Sequence, residues 1–116
     1  MIDERDESIV IDIIKRCNRI IEKTNGIKYD DFCNNYDISE IISFNLIQIG
    51  EMVNKFSKSF INKYREEDWK SMVGMRNRIV HGYNSIDFET VFDTMNKDIP
   101  NLLKFCNKVL DDNKKS

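Results

Sequence analysis

Histidine, proline, glycine and cysteine are all scarce in this chain of 116 residues, and alanine is absent altogether. The single histidine, His81, excludes a zinc site built on several imidazoles, and any chemistry that needs an imidazole must use this residue. One proline, Pro100, and four glycines leave few points at which a helix must break. Three widely spaced cysteines without a C-x-x-C pair predict reduced thiols in a cytoplasmic protein, two of them in the core.

Several sequence patterns that mark common classes of protein are also missing. The acidic start of the chain has no basic segment followed by a long apolar run, so we expect neither a secretion signal nor a membrane span. No P-loop, G-x-S-x-G, H-E-x-x-H or set of zinc ligands is present. We therefore predict no metal and no cofactor.

Charge is nearly balanced over the whole chain but unevenly distributed along it. The net charge of -2, from 18 basic and 20 acidic residues, argues against a protein coated in nucleic acid. Residues 1–40 carry an acidic excess, whereas residues 54–81 carry seven bases against three acids. We therefore expect any anion-binding surface in the second stretch.

The periodicity of apolar residues is helical throughout, and no segment alternates as a strand does. It predicts one domain over residues 1–116, an all-α, antiparallel bundle of four main helices with short extra helical turns. The predicted segments before residue 68 are a helix from Glu4 to Thr24, a turn over 29–34, a helix from Ile38 to Ser57 and a turn over 60–64. A further helix begins at Trp69 and stops at Gly82. The last helix is capped by Asp87, is kinked or split at Pro100 and reaches Leu110, before a frayed tail.

The second long helix is apolar on more than one side. Phe44 and Ile47 lie off its main apolar stripe, which fits either a central position in the bundle or packing of the extra face on a second subunit. Gly50 within this helix indicates close packing against a neighbouring helix.

One constellation could carry chemistry, the run Arg76-Asn77-Arg78-Ile79-Val80-His81-Gly82-Tyr83. Its residue types suit phosphodiester chemistry, because an imidazole exchanges protons near neutral pH and a guanidinium binds phosphate with two donors. No metal is needed if RNA supplies its own 2'-hydroxyl as the nucleophile.

Spacing alone leaves other interpretations open. His81 could complement the dipole at the end of a helix, Arg76 could be a buried ion-paired residue, and Tyr83 could be a core aromatic. Arg78 falls on the far side as a solvated or phosphate-facing charge. Arg76 and His81 lie about 140° apart around a regular helix. Either the last turn loosens before Gly82, or the site draws residues from two chains.

The run resembles the R-x-x-x-x-H-x-Y pattern of HepT-like proteins, a branch of the HEPN superfamily. The resemblance extends over nearly the whole chain, through Asn45–Glu51, Asp68-Trp69, Asp87–Val91 and Asp98–Pro100. It implies an all-α HEPN-like bundle that forms a homodimer around a shared cleft.

The resemblance also implies a function, a metal-independent endoribonuclease that is the toxin of a toxin–antitoxin pair. Arg76 and His81 would be catalytic, with Asn77 and Arg78 supporting or binding the RNA substrate. An antitoxin nucleotidyltransferase of the MNT type would transfer AMP to Tyr83 and place charge and bulk beside the cleft. The competing hypothesis is a non-catalytic dimeric helical module that binds a nucleotidyltransferase or a nucleotide.

Overall fold

The computed structural model describes residues 2–81 and 88–115, and it leaves the side chains of Val80 and His81 undescribed. Within those ranges the chain forms helices and no strand, which confirms the all-α prediction. Four long helices are joined by two short ones. The six elements are α1 (Glu4–Thr24), α2 (Tyr29–Asn34), α3 (Tyr36–Val53), α4 (Lys58–Lys63), α5 (Trp69–His81) and α6 (Phe88–Lys115).

Capping side chains explain where α3 differs from its predicted bounds. The helix begins at Tyr36, two residues earlier than predicted, because the Asn35 side chain accepts a hydrogen bond from the Ile38 backbone N–H at 3.2 Å. It ends at Val53 and does not reach Ser57. Ser57 instead caps α4, since its hydroxyl accepts from the Phe60 N–H at 3.1 Å. The predicted turn over 60–64 is therefore a short helix that begins at residue 58.

The last helix corrects two further expectations. Pro100 lies inside α6 and does not split it, and helix continues to Lys115 where a frayed tail was expected. Pro100 is exposed while Ile99 and Leu102 beside it are buried, so burial of the flanking residues keeps this segment helical despite the lost N–H. The proposed Gly82 stop and Asp87 cap lie outside the described residues.

The core lies mainly between α1, α3 and α6, with α5 packed on α3. As predicted, two cysteines are in the core: Cys17 and Cys106 are buried, and Cys33 is half-buried. An aromatic cluster lies under the α4–α5 connection, and in it the Trp69 indole N–H donates to the Tyr64 carbonyl at 2.9 Å. This bond anchors the first residue of α5, the helix that carries the Arg76 motif.

Candidate active site

Arg76 is held by two polar partners on one side of α5. Its Nη2 forms an ion pair with Oε1 of Glu51 on α3, and its Nη1 donates to Oδ1 of Asn77 at 2.6 Å. The side chains of Arg76 and Glu51 are 30% and 39% exposed, so the pair lies at the surface and not in the core. Arg76 is thus ion-paired, as one interpretation had it, but it remains accessible to a ligand.

Gly50 allows the backbone of α3 to approach α5 at this point. A Cβ at Gly50 would collide with Arg76 Cβ, lie 3.0 Å from Arg76 Cγ and lie 3.3 Å from the Met72 carbonyl oxygen. Because glycine has no side chain, α3 can bring Glu51 beside the stem of Arg76. The predicted close packing at Gly50 is confirmed, and its consequence is the position of the guanidinium.

The Arg76 guanidinium has five N–H donors, of which the ion pair with Glu51 and the bond to Asn77 use two. Its Nε is buried and has no hydrogen-bond partner among the described residues. A buried donor without a partner is costly, and an arginine fork binds phosphate oxygens with several N–H groups at once. The Arg76 side chain is 30% exposed, so its remaining Nη hydrogens can donate to a further anionic oxygen beside the carboxylate, whereas Nε is covered by the protein.

The structure separates Arg78 from Arg76. Arg78 is exposed and lines a cavity of about 590 Å³ between α5 and α6, together with Met72, Met75, Asp98 and other residues. Asn77 is exposed and binds the Arg76 guanidinium, which gives it a role in orienting that side chain. Of the predicted supporting residues, only Asn77 contacts Arg76.

His81 is the last residue of α5, and the backbone is α-helical without interruption from Trp69 to this position. The loosened last turn considered above is therefore not seen in the backbone. In a regular helix, residues five apart differ in direction by about 140°. The position of the His81 side chain and all of Tyr83 lie outside the described residues.

Glu51 is the site residue that reasoning about the motif missed. A signal for it was present, because Glu51 is the single carboxylate between residues 41 and 53 and follows directly after Gly50. A half-buried arginine on a neighbouring helix needs such a partner. Only the packing of α3 against α5 shows that the arginine paired with Glu51 is Arg76.

Two further observations bear on the class of site. Across residues 2–81 and 88–115 no three His, Cys, Asp or Glu side chains cluster as metal ligands would. Among the described helices, none is both long and apolar enough to span a membrane.

Comparison with known proteins decides the family. The profile described as "Ribonuclease HepT-like" matches residues 13–109. The chain belongs to the HepT-like ribonuclease family. This confirms the predicted family, its all-α HEPN-type fold and the enzyme class, a ribonuclease.

Similar proteins extend along most of this HepT-like chain. "Putative RNase MJ1216" of Methanocaldococcus jannaschii is 32% identical over 106 residues, which cover 91% of this chain and 88% of the relative. "Putative RNase TTE0752" of Caldanaerobacter subterraneus subsp. tengcongensis is 31% identical over 98 residues, 84% of this chain and 88% of the relative. "Probable ribonuclease HepT" of Thermococcus cleftensis is 28% identical over 95 residues, 78% and 83% of the two chains. No solved structure matches the chain significantly.

Proposed function

We propose that this HepT-like chain is a metal-independent endoribonuclease in which Arg76 and His81 act on one RNA phosphodiester. His81 takes the proton of a ribose 2'-hydroxyl, and the 2'-oxygen attacks the adjacent phosphorus. The bond from phosphorus to the 5'-oxygen breaks, and that oxygen takes a proton from water as it leaves. The products are a 2',3'-cyclic phosphate and a 5'-hydroxyl.

Arg76 supplies the electrostatic part of this proposal. Charge accumulates on the phosphorus oxygens as the 2'-oxygen attacks, and a guanidinium already held in place stabilises it without reorganisation. The observation that carries the proposal is the partly exposed Arg76 guanidinium, held in place by Glu51 and Asn77. Asn77 acts here by orienting Arg76, while Arg78, on the opposite side, contributes positive charge for RNA at a distance from the reaction.

We further propose that the working site is shared by two chains of a homodimer. Positions 76 and 81 lie about 140° apart around the regular helix α5, so Arg76 of one chain would act with the partner's imidazole. A two-fold axis would then create two equivalent sites in one cleft. Each of these sites would contain one guanidinium and one imidazole, contributed by different chains.

The biological role that we propose is that of a cytoplasmic toxin with an MNT-type nucleotidyltransferase as antitoxin. Transfer of AMP from ATP to the Tyr83 hydroxyl would release pyrophosphate and add a phosphodiester two residues after His81. Its negative charge would repel the RNA backbone from the cleft. A test is to incubate the purified chain with the transferase and ATP and to locate the added mass on Tyr83 with Tyr83→Phe as the control.

The cleavage proposal is tested by the ends of the RNA products formed in the presence of a chelator. Cyclic phosphate ends that disappear in Arg76→Ala and His81→Ala support it. Ends that carry a 5'-phosphate contradict attack by the 2'-hydroxyl. A folded wild-type dimer that binds nucleotide or transferase but cuts no RNA would favour the non-catalytic module.

A further inference from the structure

An exposed aromatic ring lies beside two arginines in a groove between α1 and α3. Phe44 is 55% exposed, and the guanidinium carbon of Arg16 lies 5.8 Å from the centroid of its ring. The groove has a volume of about 320 Å³. It is lined by Arg16, Arg19, Glu40, Ile41, Phe44 and Asn45.

Asn45 holds one of these arginines in place. It is buried on α3, where its Nδ2 donates to the Ile41 carbonyl at 2.8 Å and its Oδ1 accepts from Arg16 Nη1 at 3.0 Å. The Arg16 guanidinium is therefore fixed near the edge of the groove, beside a Phe44 ring that is 55% exposed. A large apolar ring that stays exposed beside a positioned cation is typical of a surface that binds a partner.

The chemistry of the groove suits an unpaired nucleotide. A base stacks on an aromatic face whatever its identity, and arginines bind the phosphates that flank it. Two arginines against Glu40 leave the lining with a net positive charge. The groove is open to solvent, and its volume of about 320 Å³ is large enough for a single base.

The groove also lies in line with the proposed cleavage site. Phe44 and Glu51 are seven residues apart on α3, which places them two turns apart on the same face, about 10 Å along the helix axis. Glu51 is the partner of Arg76. A single strand whose phosphate contacts Arg76 can therefore extend along α3 to the Phe44 ring.

We propose that Phe44, with Arg16 and Arg19, forms a subsite that stacks one unpaired base of the RNA substrate a few nucleotides from the cleaved bond. The proposal rests on the proposed ribonuclease function, because it takes RNA as the ligand. It assigns the exposed face of α3 around Phe44 to the RNA substrate, whereas the sequence alone also allowed packing of this face on a second subunit. In a two-fold contact centred on this groove, the same net positive lining would meet itself, which disfavours a second copy there.

The test is binding of a fluorescent single-stranded 2'-O-methyl RNA, which cannot be cut through its 2'-oxygen. Removal of the ring in Phe44→Ala should weaken binding by about 5- to 150-fold, since stacking on one base contributes roughly 1–3 kcal/mol. Phe44→Trp should retain the affinity. Tyr36→Ala is the matched control, because Tyr36 is 69% exposed on the same helix but does not line this groove.

Two further measurements make the result specific. Arg19→Gln should reduce the slope of log affinity against log salt by about 0.7, the value for one contact to a single-strand phosphate. An oligonucleotide with abasic positions should bind the wild type and Phe44→Ala equally. Equal affinity of Phe44→Ala and the wild type for the full oligonucleotide would overturn the proposal.

The other outcomes are also decisive. If Phe44→Ala converts a dimer into monomers on size-exclusion chromatography, then Phe44 is a subunit contact and the proposal is wrong. If the wild type does not bind the oligonucleotide, it is likewise wrong. Because binding is measured without cleavage, a wild type that binds through Phe44 yet cuts no RNA would reject the proposed function and leave this subsite in place.

Discussion

The guanidinium of Arg76 depends on two α3 residues that have different roles. Glu51 forms an ion pair with the guanidinium, and Gly50, which has no Cβ, leaves room for Cβ and Cγ of Arg76. The pair is partly exposed, so its ionic contribution to folding stability is small, whereas its effect on the direction of the guanidinium is direct. Changes at Glu51 should therefore affect catalysis more than folding.

Glu51→Gln should lower kcat/KM for RNA cleavage by about tenfold, the size expected when a hydrogen bond to a charged group is weakened. The glutamine keeps the length of the side chain but loses its charge, so Arg76 is held less firmly. Urea unfolding should change little. Glu22→Gln, at an exposed position on α1, is the control and should leave both quantities unchanged. Full activity in Glu51→Gln would show that the pair does not position Arg76.

Gly50→Ala and Gly74→Ala should change stability in opposite directions. The first places a Cβ against Arg76 and the Met72 carbonyl and should destabilise the fold by about 1–3 kcal/mol. The second enters open space within α5 and should stabilise it by about 0.5–1 kcal/mol, since alanine is the better helix former. Free energies of unfolding in urea provide the measurement, and the same sign for both variants would contradict the close approach at Gly50.

The short helix α4 is tied to the start of α1 by a buried carboxylate. Asp6 accepts from the Ser57 backbone N–H at 2.9 Å and from the Ser57 hydroxyl at 2.6 Å, while that hydroxyl caps α4. This link lies just before the aromatic cluster that anchors Trp69. It therefore helps to determine where α5 begins.

Asp6→Ala should destabilise the fold by about 2–3 kcal/mol, because it leaves the N–H and hydroxyl of Ser57 without their charged acceptor. Asp12→Ala, on the exposed side of α1, serves as the matched control and should cost far less. Chemical denaturation distinguishes them. Equal small losses in the two variants would mean that the Asp6 link does not stabilise the native state.

Element by element, periodicity and capping predicted most of the fold. The bounds of α1 and α2, and the start of α5, follow from local patterns that the structure confirms. The end of α3 was predicted too late, although Ser57 caps the next helix through a local bond from the Phe60 N–H; the contact of Ser57 with the distant Asp6 was not visible in the local pattern. The continuity of α6 through Pro100 depends in the same way on tertiary burial of Ile99 and Leu102.

In the candidate site, too, residues within the motif could be predicted from the sequence, whereas a residue on a different helix could not. The motif identified Arg76 and its neighbour Asn77, but Glu51 required knowledge of which helices pack together. The net charge along the sequence predicted an anion-binding stretch at residues 54–81. It gave no indication of Arg16 and Arg19, which lie in a segment with an acidic excess. The proposed subsite includes these two arginines because α1 brings them next to Phe44 of α3.

At the scale of the whole molecule, the core controls the chemistry of its thiols. Burial raises the pKa of Cys17 and of Cys106 from 9.0 to about 12. Both thiols therefore stay protonated in the native state at neutral pH, whereas Cys33 lies half-buried outside the core. Since thiolates are the reactive form, the native fold should protect two of the three cysteines.

A thiol reagent at pH 8 should modify only Cys33 in the native chain and all three cysteines in denaturant. The raised pKa values also set a pH dependence of stability. The unfolded thiols ionise near pH 9 and the folded ones near pH 12, so stability from these groups is complete below pH 9 and declines between the two values. Rapid modification of all three thiols in the native chain would contradict the burial.

The assembled molecule is proposed to cut RNA with Arg76 of one chain and His81 of the other, and a mixing experiment tests this most directly. Arg76→Ala and His81→Ala are each expected to be inactive in the presence of a chelator. Unfolded together and refolded, they should regain roughly a quarter of wild-type cleavage, because half of the dimers are mixed and each mixed dimer contains one intact site. No cleavage by the mixture would contradict the shared site, and full cleavage by either variant alone would contradict the mechanism.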